Sequence, residues 1–141
     1  MREKFKDISQ SPEDQEKKLA QENFNNWNEA LLTGDPKKVA ALYYEDTTFL
    51  PTLSEEFKIG QKGTEEYFKH FLEKNPSGEI IKDEVQTISP DNYIHSGMYN
   101  FEVGPEGKRE TVEARFTFVW QKDKSGEWKI IHHHSSVKPK S

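Results

Sequence analysis

Histidine is the residue type whose spacing in this chain could most readily support chemistry. Three histidines are consecutive, at His132, His133 and His134, and His95 lies in an earlier strand-like segment. Because side chains alternate across a strand, His132 and His134 are expected on one side, about 7 Å apart, a spacing that a metal ion can bridge. A third ligand is missing, and the expected neighbour across the hairpin is the cationic Arg115. We therefore predict no metal site, and histidines that form hydrogen bonds within the sheet or at a contact between subunits.

A second set of polar side chains is expected among aromatic residues on the inner face of a sheet. The predicted pocket residues are Trp27, Tyr93, His95, Tyr99, Phe101, Phe116, His133 and Ser135. Aromatic walls with a few polar tips are typical of small-molecule sites, and equally of an ordinary aromatic core. If the pocket is catalytic, His95 or His133 would act as the general base, and Tyr99 would donate a hydrogen bond to a developing oxyanion.

The segment 112–136 positions both sets, because it predicts two long strands joined by a turn at 123–126. On this hairpin His133 and Ser135 are expected beside the inner aromatic row. The opposite face is richer in apolar and aromatic residues than a solvated face normally is, which favours a contact between copies of the chain. The predicted contact residues are Arg115, Thr117, Val119, Trp128, Ile130, His132 and His134. Since the pKa of histidine is about 6.5, such a contact is expected to be acid-sensitive.

The remaining chain predicts helices first and strands afterwards. Ser11 followed by proline and two acids indicates a helix that runs to Gly34, with a stripe at Ala20, Phe24, Trp27 and Leu31. A short second helix starting at 35–36 is expected to carry Val39, Ala40, Leu42 and Tyr43, and a third helix is expected to be capped by Thr64. An edge strand is predicted at 47–50, closed by Pro51, and longer strands at 79–88, 92–103, 110–122 and 127–136.

These elements predict an α+β roll, with three N-terminal helices on a curved, mainly antiparallel sheet. We expect one domain at 11–137, a loose arm at 1–10 and a loose tail at 138–141.

Composition narrows the classes of partner and compartment. The net charge is −5 and the lysines are scattered among acids, which argues against a nucleic-acid partner. There is no cysteine, so thiolate chemistry and disulfides are excluded. No apolar run approaches the roughly 20 residues of a membrane span, and the first ten residues lack the apolar centre of a signal peptide. We expect no membrane partner, no cofactor and a cytoplasmic location.

Three segments carry a resemblance to a known family: LLTGDPKKVAALY (31–43), GTEEYFKHFLEKN (63–75) and VWQKDKSGEWKIIHHHSS (119–136). Together with the order of elements they resemble the association, or hub, domain of calcium/calmodulin-dependent protein kinase II, from about Gln15 to Val137. More broadly, the chain is similar to the nuclear transport factor 2-like, or SnoaL-like, superfamily of cone-shaped α+β rolls. The most specific element is Trp128 followed by His132 and His134. The resemblance implies a stand-alone hub protein, without kinase or calmodulin-binding segments, whose relatives assemble through their sheets into dimers and closed rings.

Two departures from these relatives bear on chemistry. Hub domains of the animal kinases line their cone with arginines, whereas the matching positions here are Tyr99, Phe118 and Ser135. Enzymes of the superfamily, such as ketosteroid isomerases and polyketide cyclases, carry an acid near the end of the first strand, where this chain has Leu50 and Pro51. We therefore predict a non-catalytic, self-associating domain. The alternatives are a small cofactor-independent isomerase, cyclase or hydrolase that uses the cone pocket, and a carrier of a small-molecule ligand.

Overall fold

The computed structural model describes residues 11–140, so the predicted arm at 1–10 lies outside the described part of the chain. Within this range, helices pack on one face of a curved sheet. The elements are α1 (Pro12–Leu32), α2 (Pro36–Ala40), β1 (Tyr43–Leu50), β2 (Lys58–Ile59), α3 (Gly60–Phe71), a 3₁₀ helix (Leu72–Lys74), β3 (Ser77–Ser89), β4 (Asn92–Val103), β5 (Glu110–Lys122) and β6 (Trp128–Val137). The predicted α+β fold, with helices on a curved and mainly antiparallel sheet, is confirmed.

Helix α1 begins and packs as its sequence predicts. The Ser11 side chain accepts a hydrogen bond from the backbone N–H of Asp14 at 3.1 Å, and Pro12 occupies the first turn. The buried residues recur every three or four positions, so one stripe of the helix faces the sheet. They are Ala20, Asn23, Phe24, Trp27 and Leu31. The long helix is therefore held against the sheet along most of its length.

Within residues 11–140, no helix combines the length and the apolarity that crossing a lipid bilayer requires.

The strand order in the sheet is β2-β1-β6-β5-β4-β3. β1 runs parallel to β6, and the other neighbouring pairs are antiparallel. The prediction that 47–50 is an edge strand is wrong, because β1 pairs with β6 on one side and with β2 on the other. Pro51 ends this strand along the chain and leaves its lateral pairing intact.

Two element boundaries also differ from the predictions. Tyr43 opens β1, whereas it is expected on the second helix, which ends at Ala40. Helix α3 begins at Gly60, four residues before the predicted cap at Thr64. The Thr64 hydroxyl donates a hydrogen bond back to the Gly60 carbonyl at 2.9 Å, so this threonine lies inside the helix.

One extra residue in β6 changes which side chains face the core. The neighbouring β5 residues Val119 and Trp120 pair with His132 and Ile130, which leaves Ile131 as a bulge. Because side chains alternate strictly, one inserted residue exchanges the two faces for every residue on one side of it. Ile130 is consequently fully buried in the core, and the prediction that it lies on the outer face is wrong.

Trp128 is turned inward by the same bulge. Its ring packs edge-to-face on Tyr93, with centroids 5.1 Å apart, and the ammonium group of Lys122 lies 5.3 Å from the ring centroid. The predicted outer-face position of Trp128 is therefore also wrong, since this residue packs against the core from the end of the sheet.

The edge strand β3 is irregular and lies unusually close to its neighbour. Its register against β4 shifts at Ile81 and again at Ile88, so it carries two bulges. Near the first bulge its backbone passes over Gly97 of β4. A Cβ atom on Gly97 would lie 2.0 Å from the carbonyl oxygen of Lys82. Glycine at this position therefore allows the β3 backbone to approach β4 this closely.

Replacing Gly97 with alanine should lower the free energy of unfolding by about 1–2 kcal/mol, because the added methyl group forces β3 away from β4. The measurement is urea denaturation followed by circular dichroism. Gly63→Ala is the matched control, since its Cβ would meet Lys58 at an ordinary 3.6 Å. Gly63 lies within α3, so alanine there should raise stability by about 0.5–1 kcal/mol. Equal stability for the two variants would contradict the close approach of β3.

Candidate functional site

Trp27 lies at the centre of an aromatic core between the helices and the inner face of the sheet. Its side chain is 1% exposed, and its indole N–H donates a hydrogen bond to the Tyr43 hydroxyl at 3.1 Å. Rings with centroids 5.3 to 6.5 Å from the indole belong to Phe24, Phe68, Tyr99, Phe101, Phe118 and His133. This one side chain therefore contacts α1, α3 and four strands of the sheet.

His133 lies in the same core and links two tyrosines. Its Nδ1 is 2.9 Å from the Tyr43 hydroxyl, and its Nε2 is 3.2 Å from the Tyr99 hydroxyl. The imidazole is stacked between Phe118, at a centroid distance of 4.0 Å, and Phe49, at 4.8 Å. The register of β6 pairs His133 with the core residue Phe118, so His133 faces inward, as predicted.

The hydrogen bonds around His133 run in one direction. The indole of Trp27 can only donate, so the Tyr43 oxygen accepts from it and the Tyr43 O–H is free to donate to Nδ1 of His133. A neutral imidazole that accepts at Nδ1 carries its proton on Nε2, which donates to the Tyr99 oxygen. Tyr99 in turn donates to the Ser135 hydroxyl at 2.5 Å. Because the Tyr99 O–H is used on Ser135, the Tyr99 oxygen must accept from His133, and this assigns the Nε2–H tautomer to His133.

The chain of hydrogen bonds ends in the loop that follows β1. The hydroxyls of Ser135 and Thr52 are hydrogen-bonded to each other. Tyr67 of α3 donates from its hydroxyl to the Thr52 carbonyl at 2.8 Å. The polar network therefore fixes this loop to both the sheet and α3.

Burial sets the protonation states in this network. Desolvation lowers the pKa of His133 well below its usual value, and the neighbouring histidines lower it further. Desolvation raises the pKa of Tyr43 and of Tyr99. The network is therefore neutral at neutral pH, and both nitrogens of His133 are engaged by tyrosines.

The cavity beside His133 is small. Its volume is about 10 Å³ for the centre of a water molecule, which leaves room for about one water. It is lined by Trp27, Phe49, Thr52, Tyr67, Phe68, Phe71, Tyr99, Phe101, His133 and Ser135. Five predicted pocket residues are among these: Trp27, Tyr99, Phe101, His133 and Ser135. Aromatic rings from α3 fill the space that the predicted pocket requires.

The other three predicted pocket residues lie elsewhere in the core. His95 is fully buried, its Nε2 is 2.8 Å from a carboxylate oxygen of Asp83, and its ring packs edge-to-face on Phe116. Burial lowers the pKa of His95, although the Asp83 carboxylate opposes this. The Tyr93 hydroxyl accepts a hydrogen bond from the Asn23 amide at 2.7 Å. Tyr93, His95 and Phe116 thus join α1, β3, β4 and β5.

Five of the predicted contact residues do lie on the outer face of the sheet. The residues that lie between them along β5 and β6 are buried in the core, whereas they are half-buried or exposed. They are Arg115, Thr117, Val119, His132 and His134. The strand registers align Val119 and His132 with Ile94 of β4, Thr48 of β1 and Ile59 of β2 in one row across five strands. The outer face thus carries a mainly apolar row, and Ile59 is 64% exposed.

His132 is held in place within this row. Its Nδ1 lies 2.7 Å from the hydroxyl of Thr48 on the parallel strand. Burial lowers its pKa, with a further contribution from His134. Within residues 11–140, no group of three or more histidine, aspartate or glutamate side chains could hold a metal ion.

Three residues of the network are missing from the predicted site: Tyr43, Thr52 and Tyr67. Tyr67 lies on α3, and no local pattern gives the distance of that helix from the sheet. Tyr43 falls at a helix-to-strand boundary that has no glycine, proline or cap to mark it, and Thr52 lies in a loop without a periodic pattern. A polar residue following Pro51 is the only signal for Thr52, and it is a weak one.

Comparison with solved structures defines the fold class. A nuclear transport factor 2-like protein with a cystatin-like fold from Novosphingobium aromaticivorans matches with a TM-score of 0.72 and 10% identity, over 90% of this chain and 84% of that chain. A ketosteroid isomerase-like protein from Erwinia carotovora atroseptica matches with a TM-score of 0.67 and 16% identity, over 85% and 94% of the two chains. At these identities the likeness shows the fold alone, which is the cystatin-like fold of nuclear transport factor 2-like proteins.

A closer likeness defines the family. A Xanthomonas campestris protein, provisionally assigned as a calcium/calmodulin dependent protein kinase II association domain, matches with a TM-score of 0.80 and 43% identity, over 84% of each chain. The family model of the calcium/calmodulin dependent protein kinase II association domain matches residues 16–139. The chain therefore belongs to this family, which implies self-association in general. A comparison with curated proteins finds no match.

Proposed function

We propose that this protein is a self-association domain whose copies pair through the outer face of the sheet. The observation that carries the proposal is the row Ile94, Val119, His132, Thr48 and Ile59, which crosses five strands on a face that the core leaves open. On a sheet face that meets only water, the outward side chains are normally polar, whereas a mainly apolar row on such a face favours contact with another protein surface. Membership of an association-domain family supports the same function.

The charges on this face suit a buried contact. His132 is held neutral at neutral pH by burial and by its histidine neighbour, so it can be desolvated at little cost. Arg115 and His134 are exposed and lie on the same face, where they can form hydrogen bonds at the rim of the contact. The proposed contact therefore has an apolar centre and a polar surround.

The alternative functions need space that the core does not offer. An isomerase, cyclase, hydrolase or ligand carrier requires room for a small molecule beside His133 or Tyr99. The cavity there holds about one water molecule. Self-association is for this reason the function that the geometry supports best.

Replacing Val119 with glutamate should convert the protein to a single chain, because a carboxylate in the middle of the apolar row cannot be desolvated in the contact. The measurement is light scattering on a sizing column at neutral pH and micromolar concentration. The unchanged protein should show at least twice its chain mass of 16.5 kDa. Leu32→Glu is the matched control, since Leu32 is 61% exposed at the end of α1 and lies away from the sheet face.

Circular dichroism should show that both variants remain folded. A single-chain mass for the unchanged protein would refute self-association. An unchanged assembly in a folded Val119→Glu variant would refute this face as the contact.

A further inference from the structure

His132 and His134 present free ring nitrogens on the outer face of the sheet. Nδ1 of His132 is used by the Thr48 hydroxyl at 2.7 Å, and within residues 11–140 no hydrogen bond reaches its Nε2 or either nitrogen of His134. His133, between them, faces the core and has both nitrogens engaged by tyrosines. Two imidazoles at alternate positions of one strand are therefore available to whatever covers this face.

The hydrogen bond to Thr48 prepares His132 as a metal ligand. The Thr48 hydroxyl can accept the proton of Nδ1, which leaves a lone pair on Nε2. Histidines that bind a metal normally use their second nitrogen in such a hydrogen bond, because it fixes the tautomer and the orientation of the ring. Imidazole nitrogen is a preferred ligand of zinc, copper and nickel.

The register of β5 and β6 gives Arg115 a different place from the expected one. Thr117 lies directly opposite His134. Arg115 lies opposite Ser136, so it is a diagonal neighbour of His134, about 7–8 Å away. Its side chain is exposed, where water and salt screen its charge. The cationic group that would oppose a metal ion is therefore not a direct partner of either histidine.

A second copy can supply the ligands that one chain lacks. β6, which carries both histidines, is the middle strand of the five that the apolar row crosses. In a two-fold contact, the strand at the centre of the face meets its own copy.

The dimensions of such a contact suit one ion. Sheets that pack face to face are about 10 Å apart, so a point midway between two β6 strands is roughly 6 Å from the Cα atom of each histidine. A histidine bound through Nε2 holds its metal at most about 6.5 Å from its Cα, of which about 2.0 Å is the metal–nitrogen bond. Four imidazoles, two from each copy, can therefore reach the same ion.

We propose that His132 and His134 of two paired copies together bind one divalent transition-metal ion between the two sheets. The site rests on the proposed function, because a single chain supplies only two ligands. The apolar row holds the copies together without the ion, and the ion adds bonds that must break before the copies separate.

Equilibrium dialysis against zinc chloride at neutral pH tests the site, on protein that carries no polyhistidine tag and has been stripped of metal with EDTA. The unchanged protein should bind one zinc ion per two chains. Magnesium, which prefers oxygen ligands, should not compete. His134→Gln should weaken zinc binding by at least about tenfold, because it removes two of the four ligands of the pair. Since His134 is exposed, this variant should remain folded.

Three further variants separate the site from general binding of zinc to histidine. His70→Gln is the matched control, because His70 is an exposed histidine on α3, and it should leave the zinc affinity unchanged. Thr48→Val removes the partner of Nδ1 and should weaken zinc binding by about 10–100-fold, while light scattering still shows paired chains. Val119→Glu, which should separate the copies, should abolish the site.

The outcomes separate this proposal from the proposed function. Paired chains that bind no zinc, or that bind it equally well after His134→Gln, would overturn the metal site and keep the sheet-face contact. One zinc ion per chain, retained in a folded single-chain Val119→Glu variant, would also overturn the metal site. A single-chain mass for the unchanged protein, both in EDTA and with zinc, would overturn both.

Discussion

Replacing Trp27 with alanine should lower the free energy of unfolding by about 3–5 kcal/mol, the usual cost of removing a buried aromatic ring. The indole contacts rings from α1, α3 and the sheet, so its loss leaves a cavity that no single element can close. It also removes the hydrogen bond to the buried Tyr43 hydroxyl. Urea denaturation at neutral pH, followed by circular dichroism, measures the change.

Trp27→Phe is the matched variant, because it keeps an aromatic ring and removes only part of the volume and the N–H group. This variant should lower the free energy of unfolding by about 1–2 kcal/mol. If the alanine and phenylalanine variants were equally stable, the central position of Trp27 in the core would be wrong.

The fold should lose stability as the pH falls below about 6.5, largely because of His133. Burial holds the pKa of this imidazole well below its usual value. Above about pH 6.5 both the folded and the unfolded chain carry neutral histidine, so the full stability is present. Below it the unfolded chain binds a proton that the folded chain does not, so stability falls with pH, by at most about 1.4 kcal/mol per pH unit for one group. The contribution of His133 is therefore present in full above about pH 6.5 and is lost progressively as the pH falls towards its lowered folded-state pKa.

Urea denaturation at several pH values between 7.5 and 5.0 measures this slope. The control is His133→Gln, which keeps a polar side chain but cannot titrate. The variant should be less stable at pH 7.5 and should have a shallower slope. His95 and His132 have pKa values lowered by burial as well, so some slope should remain. Identical slopes for the two proteins would show that His133 is protonated as easily in the folded chain as in the unfolded chain.

The sequence predicts those parts of the fold that depend on local patterns. The cap at Ser11 and the spacing of Ala20, Phe24, Trp27 and Leu31 define α1 and its buried stripe. Simple alternation along β5 correctly places its aromatic row on the core side. In each case the signal lies within a single helix or a single strand, where the backbone geometry fixes the direction of each side chain.

The sequence fails where one residue changes the phase of a strand. The bulge at Ile131 reverses the faces of Ile130 and Trp128, and isoleucine in a β-rich run gives no sign of a bulge. His132 and His134 follow the bulge in the chain, so the bulge does not change their phase, and they lie on the outer face as predicted. The face of the sheet is therefore predicted correctly for His132 and His134 and incorrectly for Ile130 and Trp128.

The size of the cavity depends on packing between distant elements. Alternation places Tyr99, His133 and Ser135 on one face, but it does not give the distance to the rings of α3. Nor does it show that β1 pairs in parallel with β6, which brings Tyr43 and Thr52 to the network. These contacts depend on how the whole sheet curves, and local patterns carry no information about that.

The irregular course of β3 has a consequence for the behaviour of the protein at high concentration. A straight edge strand is a template on which further strands can add without limit, as in fibres. Here the two bulges interrupt that template, and Asp83 turns its carboxylate inward to His95, where an incoming strand would have to accommodate a charge. At the opposite edge, β2 is only two residues long. Neither of these two edges of the sheet therefore favours uncontrolled addition of strands, and neither offers the long, straight template on which amyloid grows.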